Sequence, residues 1–399
     1  MHVNRRKFIQ TSGLATAAML LPKFLKAHQK NAEINSDKIL VVIQLTGGND
    51  GLNTVVPYEN DLYYNARPNI AIQKNEVLKL DTQLGLNPNM KGFKNLFDNG
   101  KLCLINNVGY PEPDRSHFRS MDIWHTASSS NEYKTSGWLG RYLDEQCGSC
   151  DKPVQVLEID DTLSLALKGN NVKGLALKDA KRLYGTTIDP FINQLSKQHV
   201  VGDHQHDNAE YLYKTLAETV SSAEYIYKTS KIFQSGSTYP NHQFGKSMKS
   251  ISELIASGVS TKVYYISLGS FDTHFNQQKR QGDLLKQLSE TVEIFINDLK
   301  MNGRADDVLL MTFSEFGRRV EENASNGTDH GTANQVFLIG NNLKKNGIYN
   351  NVPNLSDLDE GDLKFSVDFK NIYSTLLRRW LNTDEQKILG NKFNYMDFL

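Results

Sequence analysis

Residues Ile39 to Leu45 (ILVVIQL) set six apolar, mostly β-branched side chains in a row, interrupted only by Gln44, and run directly into Thr46-Gly47-Gly48-Asn49-Asp50-Gly51. A run with no polar alternation suits a strand covered on both faces, the setting of a parallel sheet between helices. In such sheets ligands gather beyond the carboxyl ends of the strands. The paired glycines permit a sharp turn there, and Asn49 and Asp50 add an amide and a carboxylate, both hard oxygen donors for a cation. The same residue types also build ordinary turns, so this junction alone does not decide between the two.

The arrangement recurs. Lys262 to Leu268 (KVYYISL) empties into Gly269-Ser270-Phe271-Asp272-Thr273-His274, and Asp307 to Phe313 (DVLLMTF) into Ser314-Glu315-Phe316-Gly317-Arg318. A fourth run, Gln335 to Ile339, is preceded by Gly327-Thr328-Asp329-His330-Gly331-Thr332. Further strands are expected at Lys101 to Val108 and Pro153 to Ile159. Helices are expected over Met90 to Asp98, from about Ser116, from Ser136-Gly137-Trp138, and over Gly245 to Ser257, Gln277 to Met301 and Asp368 to Leu381. Alternating strands and helices predict a three-layer α/β/α sandwich with a mostly parallel central sheet. From about residue 163 to 243 the pattern turns polar and helical, which predicts a helical insertion in a main domain spanning 37–399.

Lys plus Arg and Asp plus Glu both number 45, so no net field draws in nucleic acid or an anionic membrane. No apolar run reaches the length of a membrane span. The first 30 residues read as a twin-arginine export signal: Asn4-Arg5-Arg6-Lys7-Phe8-Ile9 precedes a small-residue stretch from Thr11 to Leu21, with a cleavage site near Ala27. Such a signal implies passage through the twin-arginine translocase as a folded chain and a periplasmic or secreted product, or one anchored by a retained signal. Of three cysteines, Cys103 sits inside an apolar run and reads as core, while Cys147 and Cys150 suit a local loop disulfide. His199, His204 and His206 fall in a polar loop and read as chance clustering.

Asp50, Asp272, His274, Glu315, Asp329 and His330 together supply six metal-ligating groups at strand ends. Mixed carboxylate and imidazole sets suit Zn²⁺, Mn²⁺ or iron, and six donors suffice for one or two ions. The combination GGNDG, RSHFRS leading to IWH, GWLGRYLD, FDTH, SEFGR and DHGTANQVFLIG resembles an uncharacterised family of twin-arginine-exported bacterial proteins within the alkaline phosphatase and sulfatase superfamily, from about Lys38 to Leu399. That resemblance implies an alkaline phosphatase-like fold with divalent metal, Zn or Mn, at the strand ends, and hydrolysis of a small-molecule or glycan phosphate or sulfate ester. It further implies that Asp50, Asp272, His274 and His330 touch metal, with Asp329 as a further ligand. Ser314-Glu315 stands where the phosphatases have an Asp-His pair, so a second ion would have one ligand fewer. Ser116, at a helix start, takes the nucleophile's place, with Ser120 the weaker candidate, and Ser116 also reads as a plain N-cap. Arg115, Arg119 and Arg318 are candidates to hold the ester's anionic group. The alternative is a non-catalytic member of the fold that binds an envelope glycan or a protein.

Overall fold

The computed structural model describes residues 38–146, 155–197 and 207–399. The segment read as an export signal, Cys147, Cys150, His199, His204 and His206 lie outside these residues.

Strand β1 (Ile39–Leu45) is buried along its whole length, as its unbroken apolar run requires. It lies at the centre of a nine-stranded sheet whose members, in chain order, are β1, β2 (Leu102–Gly109), β3 (Val156–Glu158), β4 (Leu175–Ala176), β5 (Val263–Leu268), β6 (Val308–Phe313), β7 (Asn334–Gly340), β8 (Gly347–Ile348) and β9 (Val367–Asp368). Their order in space is β8-β2-β7-β6-β1-β5-β3-β4, with β9 also against β2. β1 pairs in parallel with β5 and β6, whereas β7 runs antiparallel to both β6 and β2. The sheet is therefore mostly parallel with one reversed strand, and β1, β2, β5 and β6 deliver their carboxyl ends to one edge of the sheet.

Successive side chains of a strand point to opposite faces, and β1 divides its residues accordingly. Ile39, Val41, Ile43 and Leu45 enter one core layer with Phe93 of α2 (Lys91–Asp98), Ile251 of α6 (Gln243–Ala256) and Leu288 of α7 (Gln277–Met301). Leu40 and Val42 enter the other, with Trp124 of α3 (His117–Thr126), Leu139 of α4 (Trp138–Gln146) and Tyr373 of α8 (Phe369–Thr375). Two apolar faces thus demand two helical layers, and the three-layer expectation holds. The remaining labelled helices are α1 (Gly51–Thr54) and α5 (Asp207–Ser230). The segment from 163 to 243 is mainly helical but also carries β4, which extends the sheet beside β3; two residues are too few to show a period. Among the described residues no helix is long and apolar enough to cross a membrane.

Candidate metal centre

The turn after β1 is as tight as its glycines suggest. Gly47 and Gly48 both have positive φ, and a Cβ on Gly47 would lie 2.5 Å from the backbone nitrogen of Asp272. The loops leaving β1 and β5 therefore touch through backbone, which only glycine allows at that place. The loop leaving β6 is tied to the same turn. Ser314 Oγ accepts from Asn49 N–H and donates to Leu45 O, and Glu315 Oε1 accepts from Gly47 N–H at 2.8 Å. A short antiparallel bridge between Arg318 and His330 carries that loop on into the segment before β7.

These contacts bring Asp272, His274, Glu315, Arg318, Asp329 and His330 together, and add His117, the first residue of α3. Asp272 Oδ1 is the hub. It lies 3.0 Å from His274 Nε2, 3.3 Å from His330 Nε2, 3.6 Å from His117 Nε2 and 2.7 Å from Arg318 Nη2. Each imidazole is held from behind: His117 Nδ1 by Glu315 Oε1 at 2.9 Å, His274 Nδ1 by Asp329 Oδ1 at 3.1 Å, and His330 Nδ1 by the carbonyl of Arg115 at 2.9 Å. Phe316 packs against the rings of His117 and His330, with centroids 4.8 and 4.7 Å away. Because carboxylates and carbonyls only accept, the Nδ1 atoms carry hydrogens, and in the neutral imidazoles the Nε2 atoms then present lone pairs inward. Two such atoms, those of His274 and His330, lie 3.0 Å apart. Facing lone pairs at that distance need a proton or a metal cation between them, and His117 Nε2 is buried with no hydrogen-bond partner. The residues present therefore fit a metal ion.

The electrostatics agree. Burial alone would raise the Asp272 carboxyl, but the Arg318 guanidinium outweighs it and holds the group at about 2. Glu315 raises His117, whereas burial and then Arg318 lower His330. The Asn323 amide, donating to Asp329, keeps that carboxylate low.

Several expected residues are placed differently. Asp50 is not brought to the cluster: its fully buried carboxylate pairs with Arg67 Nη1 at 2.6 Å, accepts from Gln277 Nε2, and caps α1 through the N–H groups of Leu52 and Asn53. Glu315 and Asp329 stand behind histidines as acceptors rather than facing inward. The Arg318 guanidinium is buried and donates to the carbonyls of Gly47, Gly48, Phe271 and Thr328 as well as to Asp272, leaving no fork for an ester anion. Arg115 pairs with the buried Asp362, and Arg119 donates to the carbonyls of Ser129, Ser130 and Glu132. Ser116 is the N-cap residue of α3, is exposed, and does not cap the helix with its side chain. Ser120 is buried and bonded to Tyr110 and the Asp114 carbonyl.

Sequence reasoning passed over His117, which stands in the RSHFRS segment between a serine and an exposed phenylalanine. Its position directly after the N-cap, one step past the expected nucleophile, was the available signal.

The sequence matches, over residues 101–392, the family described as "Protein of unknown function (DUF1501)". No curated protein matches it. Among solved structures it is similar to the lipoteichoic acid synthase LtaP from Listeria monocytogenes, with TM-score 0.40 and 11% identity over 88% of this chain and 76% of that one. It is also similar to the PsFucS1 sulfatase from Pseudoalteromonas sp., with TM-score 0.42 and 11% identity over 94% and 72% of the two chains. A protein in the alkaline phosphatase superfamily from Vibrio parahaemolyticus matches with TM-score 0.36 and 11% identity over 90% and 71%.

Proposed function

The chain belongs to the DUF1501 family, and from that premise we propose that it is an exported, metal-dependent hydrolase of phosphate or sulfate esters. One observation carries the reading: three imidazole Nε2 atoms converge on one carboxylate oxygen at the carboxyl edge of the sheet, each backed by its own acceptor. The Arg5-Arg6 pattern supports export to the periplasm or beyond.

Asp272, His274 and His330 would hold the ion. When bound, a divalent ion supplies a Lewis acid that polarises an ester oxygen and offsets charge developing on it. Arg318, locked by loop carbonyls, keeps Asp272 ionised and its Oδ1 fixed in place. Ser116 immediately precedes a ten-residue helix whose first N–H groups favour an anion beside them. Its hydroxyl, exposed and uninvolved in capping, is the group assigned to attack. Glu315, through His117, orients the ring that closes this side of the site.

The purified chain assayed on a panel of phosphate and sulfate esters should turn over at least one, and Ser116→Ala should remove turnover while leaving metal binding intact. Turnover retained in Ser116→Ala overturns the nucleophile. Metal-loaded protein silent on every ester turns the assignment to the second reading, a non-catalytic binder of an envelope glycan or protein. That reading is favoured by one observation, the commitment of Arg115 and Arg318 to internal partners.

A further inference from the structure

We infer that the centre is a one-ion site in which His117 is a fourth protein ligand beside Asp272, His274 and His330, and in which the buried Arg318 guanidinium stands where a second cation would have to go. This rests on the ion-binding part of the proposed function and adds to it the coordination number, the metal class and the stoichiometry.

A tetrahedral zinc with bonds of about 2.0–2.1 Å places its ligand atoms about 3.3 Å apart. The contacts about Asp272 Oδ1 of 3.0, 3.3 and 3.6 Å, and the 3.0 Å between His274 and His330, scatter around that edge length. The ligand atoms of His117, Asp272 and His330 all lie within 4.8 Å of one another, and His274 joins them through its contacts to Asp272 and His330. His117 shares the arrangement that metal-bound imidazoles adopt, with Nδ1 on a carboxylate and Nε2 turned inward. An unpartnered buried nitrogen is destabilising, and His117 Nε2 is one; a bond to an ion removes that cost. Three imidazoles and one carboxylate select zinc or cobalt over magnesium and calcium, which prefer oxygen alone.

Donors already turned to other partners leave a second ion few ligands. Asp50 is closed off by Arg67, Glu315 Oε1 is taken by Gly47 and His117, and Asp329 Oδ1 by His274 and Asn323. Arg318 already lies 2.7 Å from Asp272 Oδ1 and 3.4 Å from His274 Nε2, so a further cation there would face a fixed positive charge held by the loop carbonyls.

The test uses the full chain stripped of metal and titrated with zinc, with content read by elemental analysis and affinity by chelator competition. One ion per chain is expected. His117→Ala should weaken zinc binding at least as much as Glu315→Gln, itself about 10–100-fold weaker than wild type. With cobalt in place of zinc, the intense visible bands of four-coordinate Co²⁺ should fade in His117→Ala, and circular dichroism should show the variant folded. Should His117→Ala fail to fold, His117→Gln carries the same expectations. Two zinc ions per chain, or unchanged zinc affinity and cobalt spectrum in a folded His117 variant, overturns the inference while leaving the hydrolase reading standing. No zinc bound to wild type overturns both this inference and the metal dependence of the proposed function.

Discussion

Two carboxylates at neighbouring strand ends, Asp50 after β1 and Asp272 after β5, look alike in sequence and differ completely in surroundings. Each follows a β-branched or aromatic run and a glycine. Asp50 is sealed: its side chain and that of its partner Arg67 are both 0% exposed, and Asn53, Gln277 and the start of α1 complete the cage. Asp272 also has a buried arginine, but its side chain is 46% exposed and its Oδ1 faces three imidazoles. An arginine that ends a network makes a structural pair, whereas one that holds a carboxylate from one side leaves the other side able to bind. The distinction lies in how many donors surround the oxygen, not in the residue bearing it.

The strongest way to break this comparison is to open the sealed pair. Arg67→Ala leaves a buried, unpaired carboxylate and should cost about 3–5 kcal/mol of folding stability, read as the midpoint of urea unfolding, with zinc affinity unchanged. Weakened zinc binding in a folded Arg67→Ala protein would show the two regions to be one site.

At the open carboxylate the expected effect is smaller and works through the ligand. Zinc at roughly a hundredfold excess over Kd should stabilise the native state by about 2.7 kcal/mol, seen as a melting temperature that falls in chelator and recovers with Zn²⁺. His274→Ala and His330→Ala should each abolish that response and Ser116→Ala should keep it. A response retained in His274→Ala would remove that residue from the ligand set.

A third carboxylate sharpens the contrast because it is buried with no ion pair among the described residues. Glu158 accepts from Ser164 N–H at 2.6 Å, and burial pushes its carboxyl from an ordinary 4.5 up to about 7. The folded state then binds the extra proton between those values, so stability is lost as pH rises from about 4.5 through about 7. Glu158→Gln should flatten that fall, gaining on the order of 2 kcal/mol at pH 8 relative to pH 5. Thermal melts across that range check it, and parallel curves for the two proteins would mean the carboxyl ionises without penalty. His125, buried and lowered to about 4 by desolvation, acts oppositely: its contribution is present above its ordinary 6.5 and lost as pH falls toward 4.

Most of the sheet was readable because β1, β5, β6 and β7 are apolar runs that suit no other element. His274 and His330 were readable too, since each follows or precedes such a run within a few positions. His117 was not, because a histidine at a helix start has no period, and its role appears only when Glu315 arrives behind it. Arg318 was read as a substrate fork, yet four loop carbonyls surround its guanidinium, and carbonyl positions are set by tertiary contacts that no local pattern encodes. Arg67 sits in a polar loop with nothing to mark it as the partner of Asp50. The gathering of carboxylates and histidines at strand ends was thus visible, while the division between groups that face inward and those that stand behind them depended on packing.

The central place of β1 carries a consequence for how the protein is made. Its hydrogen-bonding partners, β5 and β6, lie far down the chain, and the turn that follows it bonds to Glu315 across 268 positions. During synthesis the most apolar strand of the molecule therefore emerges first and waits for most of the polypeptide before either edge is covered. A topology so dominated by distant pairings closes slowly, and an unpaired apolar edge in that interval is a template for aggregation. This chain should depend on chaperones from an early stage of translation, and lowering the growth temperature should improve its soluble yield more than adding zinc to the medium does.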